Sequence, residues 1–86
     1  MFYYTYILYS LKDEKLYIGS TSDLKRRVRE HNNGSNTSTK PRRPLKLIYY
    51  EAHLDKKDAM RRESYFKTDK GKSTIKQMLR EALLKL

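Results

Sequence analysis

The chain has 86 residues, of which 37% are hydrophobic and 12% aromatic, enough for one small folded domain and too many for a disordered segment. Twenty lysines and arginines against ten acidic residues give a net charge of +10, and self-repulsion of that size favours a polyanionic partner such as nucleic acid. The absence of cysteine excludes a disulfide framework and cysteine-based zinc sites. No apolar run reaches the ~18 residues of a membrane span, and no signal peptide is predicted. We therefore expect a single domain over residues 1–86 that is cytoplasmic and not associated with a membrane.

The first half of the chain predicts a β-hairpin, a helix and a loop. Residues 2–10 and 15–20 are rich in residues that favour strands, and the polar "LKDE" between them favours an antiparallel turn. After Gly19, "STSD" offers N-cap oxygens for a helix over residues 23–32, which Asn33 and Gly34 close. Residues 32–44 contain two prolines among Asn, Ser, Thr and Gly, and predict a long loop.

The second half predicts a third strand and two helices. The strand covers residues 45–54, and Asp55 with Asp58 marks the start of a helix through residue 68 that Gly71 ends. Thr74 with Gln77 marks the start of a last helix, whose apolar spacing favours the core, with a dimer face as the alternative. The fold class is therefore α/β (α+β), with a small, largely antiparallel three-stranded sheet flanked by helices in the order β-β-α-β-α-α.

Helical phase separates the cations of "DLKRRVREH". Leu24 and Val28 define the apolar stripe, and Arg27 falls beside it. His31 falls there too, although a histidine at a helix end commonly satisfies a carbonyl of the last turn. The remaining cations of the segment point elsewhere: Lys25, Arg26 and Arg29. Arg27 is thus the arginine expected to face the sheet.

The next helix carries a carboxylate in an unexpected place. Ala59, Met60 and Phe66 form its apolar face, and Glu63 falls in the middle of that face. A lone carboxylate turned into a core costs several kcal/mol unless it is paired or binds a metal. Two partners remain open: a buried ion pair with Arg27, or a divalent metal, with Arg27 facing a phosphate across a cleft.

Tyr17 and Gly19 share one face of the second strand. A glycine at such a position marks a bulge or a close approach by another group. Tyr6 joins this face only if the hairpin register pairs it near Gly19, because a slip of one residue turns it away. The sequence leaves this register open, and ordinary strand packing is the alternative role for Tyr17.

Together these residues resemble the GIY-YIG nuclease superfamily, in particular its small bacterial members and the catalytic subunit of a eukaryotic structure-specific nuclease. The resemblance runs from Tyr4 to Lys67. It rests on "YTYILYS", on "YIG" with an arginine eight residues after its glycine, on the "HN" that ends the helix, and on the glutamate of "AMRRE". Tyr4 and Thr5 stand where the first motif has Gly-Ile, and the asparagine that some members carry after the glutamate has no counterpart.

The resemblance implies metal-dependent hydrolysis of a DNA phosphodiester. Glu63 would hold Mg²⁺ or Mn²⁺, and Arg27 would neutralise the scissile phosphate. Tyr17, with Tyr6 nearby, would position or deprotonate the attacking water, and His31 would relay the proton. Because a free tyrosine has a pKa of ~10, the role of base requires a lowered pKa. Gly19 would be a supporting backbone position.

The leading hypothesis is therefore a Mg²⁺-dependent DNA endonuclease of repair or processing, with structure-specific cleavage as one form of that activity. The competing hypothesis is a non-catalytic DNA- or RNA-binding module in which Glu63 and Arg27 only form a salt bridge. A third is an accessory protein that a protein partner delivers to DNA. The sequence does not predict an oligomeric state or a particular DNA substrate. The cations expected to contact backbone phosphates are Lys25, Arg26, Arg29, Lys40, Arg42, Arg43 and Lys67.

Overall fold

The sheet and helices occur in the predicted order. A computed structural model describes residues 1–86. The strands pair antiparallel in the order β2-β1-β3, so β2 and β3 are the edges. None of the helices is long and apolar enough to cross a membrane. The elements are β1 (Tyr3–Ser10), β2 (Leu16–Thr21), α1 (Leu24–Asn32), a 3₁₀ turn (Lys40–Arg42), β3 (Leu45–His53), α2 (Lys56–Phe66), α3 (Asp69–Met78) and α4 (Arg80–Leu84).

The two faces of the sheet carry separate apolar clusters. On the face that we call the α1 face, Tyr6 and Leu8 pack with residues of α1. On the opposite face, the α2 face, Ile7 and Ile18 pack with Phe66 of α2 and with α3. Because side chains alternate along a strand, the neighbours Tyr6 and Ile7 serve opposite faces.

Both ends of α1 are fixed by side chains. At its start, the carboxylate of Asp23 accepts a hydrogen bond from the backbone N–H of Arg26 at 3.2 Å. At its end, the side-chain amide of Asn32 pairs with the backbone of Leu45, donating to its carbonyl and accepting from its N–H, both at 2.8 Å. This pair of bonds sets the rotation of α1 against the first residue of β3.

A register shift in β3 decides which of its side chains face α1. Leu47 lies opposite Leu8, but the partner of Ile7 is Tyr49, so β3 accommodates one extra residue. Leu47 and Tyr50, three positions apart, consequently both face α1, whereas Tyr49 turns to the α2 face.

The helical end of the chain differs from the sequence prediction. Gly71 does not end a helix but lies buried inside α3, whose N-cap is Thr68 and not the predicted Thr74. Thr74 lies in the middle of α3 and bonds the Tyr65 hydroxyl at 2.7 Å. The two helices approach so closely that a Cβ on Gly71 would collide with the Tyr65 carbonyl and lie 2.8 Å from the Cα of Phe66. The tight α2–α3 packing explains the glycine.

The predicted apolar faces of the helices are only partly buried. Met60 was expected in the core but is 50% exposed. Of the apolar residues predicted for the last helix, Ile75 is fully buried and Leu79 packs against the core. Met78, at the end of α3, and Leu86, beyond the separate short helix α4, are exposed.

Replacing Gly71 with alanine tests the close packing of α2 and α3. Helix propensity alone predicts that Gly71→Ala stabilises α3 by about 1 kcal/mol. We expect the opposite, a destabilisation of about 1–3 kcal/mol, because backbone atoms of α2 cannot move away cheaply. Urea denaturation measures the change. Ser73→Ala, at an exposed position of the same helix, is the control and should change stability by less than about 0.7 kcal/mol. A more stable Gly71→Ala protein would contradict the packing.

Candidate active site

The hairpin register places Tyr6 directly opposite Gly19. This is the register that the sequence left open, and it brings Tyr6 to the same face as Tyr17. A Cβ at Gly19 would lie 2.5 Å from the Tyr6 hydroxyl oxygen and 2.6 Å from its Cζ. The glycine is therefore explained by the close approach of the Tyr6 ring and not by a bulge.

A buried chain of hydrogen bonds links β1, α1 and the loop before β3. The Tyr6 hydroxyl lies 2.9 Å from Nε2 of His31, and Nδ1 of His31 lies 2.8 Å from the hydroxyl of Thr39. All three side chains are buried. The Tyr17 ring meets the imidazole edge-on, with 4.8 Å between ring centroids. His31 thus uses both nitrogens on side chains and does not satisfy a carbonyl of the last helical turn.

The surroundings of Tyr6 and His31 set the protonation of these two side chains. Burial raises the pKa of Tyr6 to about 12, and hydrogen bonding to the neighbouring Arg27 offsets only part of that rise. Burial, and then the charge of Arg27, lowers the pKa of His31. At neutral pH Tyr6 is a phenol and His31 a neutral imidazole, and both bonds are satisfied if Tyr6 donates to Nε2 and Nδ1–H donates to Thr39. The lowered pKa that the role of base requires is not met at Tyr6.

Arg27 lies where the α1 face meets solvent, as helical phase predicted. Its side chain is 37% exposed, and its Nη1 donates to Glu30 at 3.2 Å. Hydrogen bonding with Tyr6 raises the pKa of Arg27 more than partial burial lowers it. Arg27 forms no ion pair with Glu63, so that predicted alternative is wrong.

Glu63 approaches from α2, on the opposite face of the sheet. Its Oε1 accepts a hydrogen bond from the Ser20 hydroxyl at 2.6 Å, and its Oε2 accepts one from Nζ of Lys67 at 2.7 Å. The side chain is 23% exposed. The cation that pairs with this half-buried carboxylate is thus Lys67, the C-cap residue one helical turn after Glu63.

A cleft at the edge of the sheet joins the two halves. Groups on opposite faces of a sheet are separated by its backbone, so they meet only around an edge. Ser20 lies near the end of the edge strand β2 and bonds Glu63, and it lines the same cleft of about 300 Å³ as Arg27. The complete lining is Tyr3, Ser20, Thr21, Ser22, Arg26, Arg27, Lys56 and Ala59.

The donor set at Glu63 suits a magnesium ion bound by one carboxylate and water. No group of three or more histidine, cysteine or acidic side chains comes together to form a metal cage. Mg²⁺ keeps several waters and is commonly held by one or two carboxylates. Ser20 fixes one oxygen of Glu63, and the other contacts only the ammonium of Lys67, which is 55% exposed and free to move away.

The cations predicted to bind DNA fall in different settings. Arg42 is engaged within the fold, because it donates to Asp13 at 2.8 Å and to the Leu16 carbonyl at 3.2 Å. It ties the loop before β3 to the hairpin and is not available to phosphate. The others remain at the surface: Arg26 at the cleft, Lys25 and Arg29 elsewhere on α1, Lys67 on Glu63, and Lys40 and Arg43 along a polar groove of about 630 Å³ shared with Lys12.

Sequence reasoning missed four residues that build this site. Ser20 could have been found from the sequence, because alternation along β2 puts it with Ile18 on the α2 face. Asn32 formed part of the "HN" pattern, but its bond to the first residue of β3 had no local signature. Thr39 lies in a loop without periodicity, and Lys56 reaches the cleft only because α2 starts beside β2.

Comparisons with known proteins agree with the geometry. A family model described as the GIY-YIG catalytic domain matches residues 2–77. A UPF0213 protein of Clostridium perfringens is 46% identical over 65 residues, which cover 74% of this chain and 69% of that protein. A UPF0213 protein of Pediococcus acidilactici is 39% identical over 79 residues, 88% of this chain and 80% of that protein.

A solved structure is also similar. The solution NMR structure of a UPF0213 protein from Bacillus halodurans matches with a TM-score of 0.56 and 33% identity, and covers 91% of this chain and 85% of that one. The resemblance noted between Tyr4 and Lys67 therefore extends over nearly the whole chain. Because the domain match and these relatives agree, the chain belongs to the GIY-YIG family and has its nuclease fold.

Proposed function

We propose that this protein is a metal-dependent endonuclease that hydrolyses phosphodiester bonds of DNA during repair or processing. The observation that carries the proposal is the cleft that Arg27 and Ser20 share, because the hydroxyl of that same Ser20 donates a hydrogen bond to Glu63. A guanidinium in the cleft and a carboxylate one hydrogen bond behind its lining are two groups that can act on a phosphodiester. One neutralises the phosphate, and the other holds a cation.

Arg27 is the group proposed to bind the scissile phosphate. Its guanidinium is permanently charged, partly exposed and directed into the cleft. Glu30 holds it at 3.2 Å in a surface ion pair, which is weak enough to yield to a phosphate. Hydrogen bonding with Tyr6 raises the pKa of Arg27, so the guanidinium keeps its charge.

Tyr17 is the tyrosine proposed to position the attacking water. Tyr6 is buried and fully protonated at neutral pH, so it acts through His31 and not on the water. The neutral His31 ring is held by Thr39 and packs edge-on against the Tyr17 ring, so we propose that it orients Tyr17. Tyr17 is therefore the protein group left to act as general base, and without it the attacking water would lose its proton to solvent. Tyr6 and His31 are positioning residues.

Glu63 is proposed to hold Mg²⁺ or Mn²⁺, and the bound ion would stabilise the oxygen that leaves the phosphorus. Ser20 keeps one carboxylate oxygen in a fixed direction towards the edge of the sheet. Without a bound metal, Lys67 balances the charge of the carboxylate, and a dication would replace it there. With one such site per chain, the expected product of a single event is a nick in one strand.

The positive surface supports binding to DNA outside the cleft. Arg26 and Lys56 line the cleft beside Arg27, and Lys12, Lys40 and Arg43 line the polar groove on the loop side. No carboxylate lines that groove. These cations would contact backbone phosphates without reading bases, so binding should weaken steeply as salt rises.

A nicking assay on branched and duplex DNA with Mg²⁺ or Mn²⁺ tests this function. We expect Glu63→Gln and Arg27→Ala each to lower the cleavage rate by about 10²–10³-fold, because each removes a group that acts on charge in the transition state. Arg29→Ala is the matched control. It removes an arginine from an exposed position of the same helix and should leave the rate at saturating DNA unchanged. Thermal melts confirm that the variants fold.

The competing function, a non-catalytic nucleic-acid-binding module, has one observation in its favour. Arg27 and Glu63 each already have a charged partner on their own helix, Glu30 and Lys67. If the wild-type protein binds DNA tightly but cleaves none of these substrates with any divalent metal, the endonuclease proposal fails and the binding module replaces it.

Removing Lys67 should strengthen metal binding at Glu63. Lys67→Met deletes the ammonium that competes for Oε2, and since exposed ion pairs contribute up to about 1 kcal/mol, we expect Mn²⁺ affinity to rise by up to about fivefold. Titration followed by electron paramagnetic resonance of free Mn²⁺ measures this without any cleavage. Lys70→Met changes the net charge equally at another exposed site and should leave affinity unchanged. Equal effects of both variants would contradict a metal on Glu63.

A further inference from the structure

A second groove, more apolar than the cleft, lies on the α1 face. It has a volume of about 640 Å³, in the range of pockets that hold small organic groups. We call it the tyrosine groove. Its apolar lining is Tyr4, Leu24, Val28, Leu47 and Tyr50, and its polar rim is Ser22, Asp23 and Lys25.

The groove exists because α1 is too short to cover the whole face. Its nine residues pack over Tyr6 and Leu8 and leave the sheet around Tyr4 and Tyr50 uncovered. The register shift in β3 is what turns Tyr50 to this side. The two rings meet edge to face with 6.0 Å between centroids, and Tyr50 remains 53% exposed.

The tyrosine groove adjoins the cleft of the candidate active site. Ser22 lines both the groove and the cleft that contains Arg27. A strand whose phosphate lies against Arg27 would therefore place a neighbouring nucleotide at the mouth of the groove. Lys25 stands at the rim, where the next phosphate of that strand would pass, and Asp23 is occupied as the N-cap of α1.

The lining matches one class of ligand. Aromatic rings beside a cation stack bases of single strands, since every base has a π-face. A base inside a duplex is already stacked and paired and does not enter such a groove. We infer that the tyrosine groove holds an unpaired nucleobase of the DNA strand next to the scissile phosphate. The inference rests on the proposed function and adds a substrate class to it: DNA with an unpaired nucleotide beside the cut.

Fluorescence of 2-aminopurine in EDTA tests this without cleavage. One DNA carries 2-aminopurine as a single unpaired nucleotide at the end of a duplex, and a second carries it fully paired. For wild-type protein we expect the emission of the unpaired base to change on binding as the base stacks. Tyr50→Ala should abolish that change and weaken binding of the first DNA about fivefold or more, with the second within about twofold.

Two variants control for surface effects. Phe2→Ala removes an aromatic side chain that is 47% exposed and lies outside the groove, and it should leave both DNAs unaffected. Tyr50→Phe keeps the ring and should bind like the wild type. The inference is overturned if Tyr50→Ala weakens both DNAs equally or neither of them. It is also overturned if the matching RNA, and not the DNA, shows the dependence on Tyr50.

A second copy of the chain is the other candidate occupant. If sedimentation shows a dimer that Tyr50→Ala dissociates while DNA binding is unchanged, the groove is an interface and the inference fails. The assay also separates this inference from the proposed function. Cleavage without dependence on Tyr50 refutes only the groove, and base stacking without cleavage refutes only the endonuclease.

Discussion

The close packing of Tyr6 over Gly19 is the contact on which the candidate site depends. With no side chain at Gly19, the Tyr6 hydroxyl reaches His31 on α1, and His31 in turn reaches Thr39. These buried bonds, and the two hydrogen bonds between the Asn32 side chain and the Leu45 backbone, fix the rotation of α1. That rotation brings the guanidinium of Arg27, one turn before His31, to the cleft. A one-residue slip of the hairpin would turn Tyr6 to the other face and break the whole chain of contacts.

The second constraint is that α1 and α2 cover opposite faces of the sheet. The arginine proposed to bind phosphate lies on one helix and the carboxylate on the other, so the two could act on one bond only around an edge strand. Ser20 marks that place, since its hydroxyl reaches Glu63 while the residue lines the cleft with Arg27. An edge is also open to solvent, so Arg27 and Glu63 stay partly exposed while Tyr6 is buried, as the proposed DNA substrate would require.

Helical phase and alternation predicted much of this arrangement, and tertiary packing decided the rest. Phase alone directed Arg27 towards the sheet, whereas the pairing of Tyr6 with Gly19 depends on hairpin register, which the sequence did not specify. Of the two partners left open for Glu63, the ion pair with Arg27 does not form, because a flexible lysine one turn away reaches the carboxylate more easily than an arginine across the sheet. The prediction that Gly71 ends a helix is wrong because the local sequence does not show how closely the backbone of α2 approaches this residue.

The position at which a divalent ion binds tests the proposed site most directly. In amide NMR spectra of the wild-type protein, low concentrations of Mn²⁺ broaden the signals of residues close to the ion. We expect the strongest broadening at Glu63 and Ser20, with Arg27 next, because Glu63 accepts a hydrogen bond from Ser20, and Ser20 lines the cleft at the edge of β2 with Arg27. Broadening centred on Asp55 and Asp58 at the exposed start of α2, with the signals of Ser20 and Glu63 unchanged, would contradict it.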